Sequence, residues 1–252
     1  MNDSAGALAL VGSGEYLAQS HELERALVAS AQQLRGESAK YYVQIPTASG
    51  HESPDRRAYW RNLGESAASR IGIEQKYLDV QNREDALALD AQSLNAVAEA
   101  ALIYFSGGDP YLLTEAMAET PLWGAVLDAY SKGASLAGCS AGAMAFCSHV
   151  VEFRTLGRNS RAGLGLLENL QVIPHFDRMH MASRIPALSG KAWWAVPTLG
   201  IDEMTAAIWE RGAWRVWGRG GVYHFGDPQE ERVVARAGEA LTLPDPVGSQ
   251  RR

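Results

Sequence analysis

The sequence predicts an α/β fold in which helices cover both faces of a mostly parallel sheet and antiparallel hairpins lie near the C-terminus. Three observations lead to this prediction. Short apolar runs alternate with segments of helical periodicity along the first two thirds of the chain. Several of these runs end in glycine-rich turns, and the last third holds short aromatic-rich segments separated by glycines.

The N-terminal part predicts a strand, a helix and a second strand. The apolar run from Ala7 to Val11 leads into the turn Gly12-Ser13-Gly14, which suits a strand buried on both faces. Apolar residues then recur at helical spacing between residues 23 and 34. The next apolar run, from Tyr41 to Ile45, stops at Pro46, so we expect it to be the second strand of the unit.

The same alternation continues through the middle of the chain. We expect helices over residues 55–72, 86–100 and 111–131, and strands over residues 78–80, 101–105 and 134–137. Because strands that alternate with helices usually pair in parallel, these segments extend one sheet.

The last third changes character. A strand from Leu170 to Pro174 is followed by an arginine-dotted helical stretch that extends to Leu188. Segments 206–209, 214–217 and 221–225 are predicted to form antiparallel hairpins that close the edge of the sheet. The tryptophans of these hairpins fit a dimer face and a core equally well, which leaves a homodimer open. The tail over residues 245–252 is expected to fray.

Composition and charge narrow the possible functions. The 252 residues are expected to form one domain, 1–252, because single α/β domains often have this length. A formal net charge of −6 does not favour nucleic acid or an anionic membrane as a partner. The chain has two cysteines, no basic N-terminal signal and no uncharged apolar run of about 18 residues. These features predict a cytoplasmic protein.

A candidate nucleophile lies in the turn Gly138-Cys139-Ser140-Ala141-Gly142, which has the G-x-S-x-G form of a nucleophile elbow. An apolar strand precedes this turn and a helix-forming segment follows it, as the motif requires. Ser140 occupies the central position, where a strained turn exposes the hydroxyl at a helix N-terminus. Cys139 is one place off this centre and is expected to be a small buried residue.

A serine hydroxyl needs a base that accepts its proton and an acceptor that orients the base. His175 ends an apolar strand, so it is expected at the same sheet edge as Ser140; His180 and His224 are the alternatives. The residue pattern leaves the orienting acid open among Glu152, Asp177 and Asp202.

The turn Ser106-Gly107-Gly108-Asp109 after another apolar strand is expected to help bind the oxyanion of an acyl-transfer reaction. Such a site needs two preorganised N–H donors, for which Ala141 and either Gly107 or Gly108 are candidates. Phosphate binding is the rival use of glycine-rich turns. Neither this turn nor Gly12-x-Gly14 completes a dinucleotide or P-loop motif, so a nucleotide site is weakly supported.

Several motifs together resemble the serine peptidase family of cyanophycinase and α-aspartyl dipeptidase. They are Gly107-Gly108-Asp109, Gly138-Cys139-Ser140-Ala141-Gly142-Ala143, Gly163-Leu164-Gly165-Leu166-Leu167, Pro174-His175-Phe176 and Gly200-Ile201-Asp202-Glu203-x-Thr205-Ala206. The resemblance implies a three-layer sandwich like the class I glutamine amidotransferases, with serine in place of their cysteine nucleophile and no metal or organic cofactor.

Carried over to this chain, the resemblance makes Ser140 the nucleophile and His175 the base, with the oxyanion hole at Gly108 and Ala141. In this family an acidic residue lies about two dozen positions before the histidine, which implies that Glu152 is the third catalytic residue. Asp202 and Glu203 then belong to a later motif that supports the site. We assign substrate binding to Gly107, Asp109 and Arg178.

The resemblance also bears on the substrate. Cyanophycinase-like members usually carry Gln where this chain has Pro110 and Pro174, so it is closer to the aspartyl dipeptidase branch. Those enzymes cleave after an N-terminal aspartate, whose side chain needs a cation. The candidate cations are Arg154, Arg158, Arg161, Arg178 and Arg184.

The favoured function is therefore a serine hydrolase that cleaves a small peptide or isopeptide. One alternative is a non-catalytic amidotransferase-like scaffold that binds a small ligand or a protein partner. A second is an α/β-hydrolase esterase, with Asp202 as the acid and His224 as the base.

Overall fold

The computed structural model describes residues 5–152, 159–178, 196–226 and 233–247. The α-helices in these ranges are α1 (His21–Arg35), α2 (Pro54–Ile71), α3 (Arg83–Leu87), α4 (Ala91–Ala98), α5 (Pro110–Met117), α6 (Pro121–Ser131) and α7 (Ala141–Phe146). The first eight strands are β1 (Leu8–Val11), β2 (Tyr41–Ile45), β3 (Glu74–Tyr77), β4 (Ala100–Phe105), β5 (Ser135–Cys139), β6 (His149–Val151), β7 (Ser160–Ala162) and β8 (Gln171–Ile173). The remaining strands are β9 (Thr198–Ile201), β10 (Thr205–Glu210), β11 (Ala213–Gly218), β12 (Gly221–Phe225), β13 (Val233–Arg236) and β14 (Ala240–Leu241).

A large sheet forms the centre of the fold, with strand order β14-β11-β10-β1-β5-β4-β2-β3. Strands β1, β5, β4, β2 and β3 pair in parallel, whereas β10, β11 and β14 add an antiparallel edge. The predicted α/β fold with late antiparallel hairpins is confirmed.

Helices cover both faces of this sheet because its central strands are apolar on both sides. In β1, Leu8 and Leu10 contribute to one hydrophobic cluster, and Ala9 and Val11 contribute to another. Helices α1 and α2 supply apolar side chains to the cluster around Ala9, and α3 to α7 supply them to the cluster around Leu8. The chain therefore forms three layers, with the sheet in the middle.

Two helices predicted as continuous are interrupted by caps. The segment expected over 111–131 divides into α5 and α6, because Glu119 takes a positive φ of 58° and Thr120 caps α6 ahead of Pro121. The segment expected over 86–100 likewise divides into α3 and α4, where the Asp90 side chain accepts a hydrogen bond from the Ser93 N–H. Helical periodicity runs through both interruptions and does not show them.

The strand predicted over residues 78–80 is wrong, because the observed strand ends just before these residues. The strand at this place is β3, which precedes the apolar pair Leu78 and Val80. It lies at the edge of the sheet, where the side chains of Gln75 and Lys76 remain partly exposed. The apolar pattern of the sequence therefore marks the buried residues that follow this strand and not the strand itself.

A second sheet has the strand order β13-β12-β9-β8, and β8 is parallel to β9. The segment 221–225 therefore does not extend the hairpins at the edge of the central sheet, as the sequence predicted, but belongs to this second sheet. The strand that leads to His175 also lies there. Most of the helix predicted to follow, which ends at Leu188, lies outside the described residues.

The tryptophans of the β10–β11 hairpin pack mainly in the core of the fold. Trp209 and Trp214 are buried, and Trp217 packs against the core while partly buried. Part of the predicted frayed tail is also held in place. Asp245 accepts a hydrogen bond from the Trp209 indole, and the Val247 N–H donates to Leu166. Among the described helices, none has the length and apolarity needed to span a membrane.

Candidate active site

The candidate nucleophile lies between β5 and α7. Ser140 has φ 50° and ψ −107°, an unfavourable backbone conformation for a residue with a side chain. Its N–H donates to the Val11 carbonyl of the neighbouring strand, at 2.8 Å, which helps to hold this conformation. The flanking glycines allow the turn to close, since a Cβ on Gly138 would come within 2.5 Å of the Gly142 backbone.

The structure brings His175 to this serine. Ser140 Oγ lies 3.0 Å from His175 Nε2. His175 follows β8 and, like Ser140, has a positive φ of 50°. The chain just after it is tied to β9, because the Phe176 N–H donates to the Ile201 carbonyl. Two strained residues from different sheets thus meet at hydrogen-bond distance.

The carboxylate behind the histidine is Glu203. His175 Nδ1 lies 3.0 Å from Glu203 Oε1, and the Arg178 guanidinium donates to the other oxygen at 2.9 Å. The Glu203 N–H donates to Asp177 Oδ1, which fixes the backbone beneath the carboxylate. The expectation that Glu152 has this role is therefore wrong, because both ring nitrogens of His175 already have partners, Ser140 and Glu203.

The electrostatics favour one tautomer of the imidazole. The hydrogen bond from His175 lowers the pKa of Glu203, and the Arg178 guanidinium lowers it further. An ionised carboxylate can only accept hydrogen bonds, so the Nδ1 atom of His175 carries the proton. Nε2 then has a free lone pair that faces the Ser140 hydroxyl, as a general base requires.

Glu152 instead forms an ion pair with Arg161. Its Oε1 accepts a hydrogen bond from Arg161 Nε at 2.6 Å. The Arg161 guanidinium also lies over the Tyr111 ring, with Cζ 4.5 Å from the ring centroid. Tyr111 in turn donates from its hydroxyl to the Val151 carbonyl, which joins α5 to β6. Glu152 and Tyr111 together orient this arginine.

Two backbone N–H groups are available beside Ser140. Within the described part of the chain, the N–H groups of Gly108 and Ala141 donate to no acceptor. Ala141 begins α7, where the first N–H groups have no partner inside the helix. Gly108 has φ 139° and lies so close to Ala48 that a Cβ would approach the Ala48 oxygen within 2.2 Å. An oxyanion hole at these two N–H groups stays a prediction.

The residues expected to bind substrate already have partners in the chain. The Gly107 N–H donates to Glu15 Oε1, and Asp109 Oδ1 accepts from the N–H groups of Tyr111 and Leu112. Arg178 is bonded to Glu203, as described above. Asp109 also lines a cavity of about 780 Å³ beside Gly108, together with Glu152 and Arg161.

Other candidates are less suited to catalysis or cannot be placed. Cys139 and Cys147 are fully buried thiols, and burial raises the pKa of each. Asp202, the acid of the esterase alternative, accepts hydrogen bonds from the Gly221 N–H and the Tyr223 hydroxyl. His224 lies within β12. His180, Arg154, Arg158 and Arg184 lie outside the described residues.

Comparison with known proteins adds an independent line of evidence. The model of peptidase family S51 matches residues 8–212. Cyanophycinases from Trichormus variabilis and from a Nostoc species are each 29% identical over 230 residues, which cover 86% of this chain and 72% of theirs. A crystal structure of a peptidase from an acI-B1 actinobacterium is 40% identical and superimposes with a TM-score of 0.83. That match covers 96% of this chain and 99% of the other.

The matched region contains all three residues of the hydrogen-bonded series Ser140, His175 and Glu203. The family of serine peptidases, first suggested by the sequence motifs, is thus confirmed by a match over most of the chain. This chain belongs to peptidase family S51.

Proposed function

We propose that the chain hydrolyses a peptide or isopeptide bond through an acyl-enzyme on Ser140. One observation carries this proposal. Ser140 Oγ, the two ring nitrogens of His175 and Glu203 Oε1 form a continuous series, with both hydrogen bonds 3.0 Å long. This is the arrangement by which a base activates a hydroxyl and a carboxylate orients the base.

In the first half of the reaction, Ser140 Oγ attacks the scissile carbonyl carbon and its proton passes to His175 Nε2. The carbonyl oxygen becomes an oxyanion that accepts hydrogen bonds from the N–H groups of Gly108 and Ala141. Glu203 stabilises the positive charge on the imidazolium. The C–N bond then breaks, and the departing amine takes the proton from Nε2, which leaves an ester on Ser140.

In the second half, His175 accepts a proton from a water molecule, and the resulting hydroxide attacks the ester carbon. The oxyanion forms a second time against Gly108 and Ala141. When the C–O bond to Ser140 breaks, Nε2 returns the proton to Oγ. The carboxylic acid product leaves, and the free enzyme is restored.

The substrate class is a small peptide or isopeptide, with aspartyl peptides the first candidates. The cavity beside Gly108 has the size of a pocket for a small ligand, at about 780 Å³. Arg161 is the arginine among the described residues that line it, and Glu152 holds this arginine through Nε, so the two terminal amino groups remain available for a carboxylate. The free thiols Cys139 and Cys147 support a reducing compartment, such as the cytoplasm.

Labelling with a fluorophosphonate tests the proposal. The wild-type protein should form one covalent adduct, located on Ser140 by mass spectrometry, and Ser140→Ala should form none. A screen of Asp-X dipeptides, β-aspartyl peptides and cyanophycin then identifies the substrate. A folded wild-type protein that neither reacts with the probe nor cleaves any of these peptides would contradict the proposed activity.

A further inference from the structure

Glu15 is a buried carboxylate that lies beside the catalytic residues and has no part in the proton transfers above. The residue is 8% exposed. Oε1 accepts a hydrogen bond from the Gly107 N–H at 3.0 Å, and Oε2 accepts one from the Cys139 thiol at 2.9 Å. One carboxylate therefore contacts both turns of the candidate site, since Gly107 precedes Gly108 and Cys139 precedes Ser140.

The contact to Gly107 is possible because Gly107 has no side chain. A Cβ at this position would lie 3.0 Å from Glu15 Oε1 and 3.3 Å from Ser140 Cβ. Gly107 thus lies close to both the carboxylate and the nucleophile. A shift of the Gly107 N–H would move the N–H of Gly108, because both belong to the same short turn.

The backbone that carries Glu15 is itself firmly held. The Tyr16 N–H donates to Glu24 Oε1 at 2.9 Å, and the Tyr16 carbonyl accepts from Arg70 at 2.7 Å. The Tyr16 ring is fully buried, with its centroid 5.0 Å from that of Tyr104. Glu15 is therefore fixed to a rigid part of the fold, as a group that sets the geometry of a site needs to be.

The second contact leaves Glu15 well satisfied. Burial raises the pKa of the Cys139 thiol, and the Glu15 carboxylate raises it further. Cys139 is therefore a thiol that donates its proton to Oε2, not a thiolate that repels it. With one hydrogen bond to each oxygen, the buried carboxylate has a fixed orientation.

We propose that Glu15 is a positioning residue that holds the turn of Gly107 and Gly108 at the correct distance from Ser140 for oxyanion binding. This inference rests on the proposed function. It assigns the effect to the reach of the side chain and its acceptor oxygen, not to its charge. Glu15 acts through the Gly108 N–H and exchanges no proton with the substrate.

Two conservative variants separate reach from charge. Glu15→Gln keeps the length of the side chain and an oxygen that accepts from Gly107, whereas Glu15→Asp keeps the charge but is one methylene too short. The readout is the second-order rate constant for labelling of Ser140 by a fluorophosphonate, whose phosphoryl oxygen also needs the oxyanion hole. We expect Glu15→Asp to lower it about 10- to 100-fold, since small misplacements cost this much. Glu15→Gln should stay within about threefold of wild type.

A further variant provides the control. Val28→Ala removes a buried side chain from the hydrophobic cluster that also contains Cys139, so it lowers stability without touching either turn. It should label at the wild-type rate once folding has been verified by circular dichroism.

The opposite pattern, in which Glu15→Asp reacts normally and Glu15→Gln does not, would overturn the proposal. A tenfold loss of the labelling rate constant in Glu15→Gln would also overturn it, and this result can be obtained even if Glu15→Asp does not fold. An equal loss in Val28→Ala would show a general effect of stability and would also overturn the proposal. Failure of the proposed function is distinct, because the wild-type protein itself would then not be labelled.

Discussion

At the scale of single residues, the carboxylate that orients His175 decides how the site works. Glu203 accepts from Nδ1 at 3.0 Å, whereas Glu152 is bonded to Arg161. We expect Glu203→Gln to lower kcat about 10³- to 10⁴-fold, because an amide in this place can favour the wrong imidazole tautomer. Steady-state kinetics of Glu203→Gln and wild type, measured on the substrate from the peptide screen, provide the test.

Glu152→Gln is the matched control, since it makes the same chemical change at the other acidic candidate. It should lose far less in kcat than Glu203→Gln, and any effect should fall mainly on KM through Arg161. The assignment of Glu203 would be contradicted if Glu152→Gln lost as much kcat as expected for Glu203→Gln while the latter remained active.

The sequence allowed some of these residues to be predicted and not others. Ser140 stands in a local motif whose steric demands can be read from its neighbours. His175 ends an apolar strand. Glu203 has no such local signal: it approaches His175 because β8 and β9 are parallel neighbours, a pairing that joins segments 27 residues apart. Glu203 and Asp202 share one motif, and only the folded structure shows that Glu203, not Asp202, contacts the imidazole.

At the scale of secondary-structure elements, the elbow depends on how closely α7 approaches β4. A Cβ on Gly142 would lie 2.7 Å from the Phe105 carbonyl oxygen and 3.2 Å from Phe105 Cβ. Gly142→Ala should therefore reduce the free energy of unfolding by about 1–3 kcal/mol, despite the better helix propensity of alanine. Urea denaturation measures the change.

Gly124→Ala provides the control in the neighbouring helix α6. Gly124 is exposed, and a Cβ there would meet no atom within 4 Å. The substitution should raise the free energy of unfolding by about 0.5–1 kcal/mol, because alanine loses less backbone entropy on folding. If both variants gained stability, the close approach of α7 and β4 would not be what requires a glycine.

The start of α5 permits a similar distinction for Asp109. This side chain accepts hydrogen bonds from the Tyr111 and Leu112 N–H groups, so it is the N-cap of the helix. Asp109→Ala should cost about 1 kcal/mol in stability, and Asp109→Asn should cost little, because asparagine caps equally well. Thermal or urea unfolding tests the cap. A rise in KM for Asp109→Asn alone would indicate that its charge also contacts the substrate.

At the scale of the whole molecule, the site forms where the two sheets meet. Ser140 follows a strand of the central sheet, and His175 follows a strand of the second sheet. Glu203 lies in the short connection from β9 to β10, by which the chain passes from the second sheet to the first. The inner strands of the central sheet could be predicted because they are apolar runs, whereas the polar edge strand β3 could not. The second sheet could not be separated from the central sheet, since strand patterns do not specify which strands pair.

The stability of the whole fold should depend on the ionisation of one buried carboxyl group. Burial raises the pKa of Glu24 from 4.5 to about 7. The folded state therefore binds more protons than the unfolded state between these two values, so the free energy of unfolding falls as pH rises through this range. At about 1.4 kcal/mol per pKa unit, the full loss is about 3 kcal/mol and is complete above pH ~7.

Glu24→Gln should remove this dependence, because a neutral amide can still accept the hydrogen bond that the Tyr16 N–H donates to Oε1. The variant should match wild type near pH ~4.5 and exceed its stability by up to about 3 kcal/mol at pH ~8. Urea denaturation at several pH values gives the difference, in which other titrating groups cancel. Glu22→Gln on the same helix is the control, since the Glu22 side chain is 65% exposed and its pKa is lowered by Arg25. A constant difference between Glu24→Gln and wild type across this range would show that Glu24 does not titrate there.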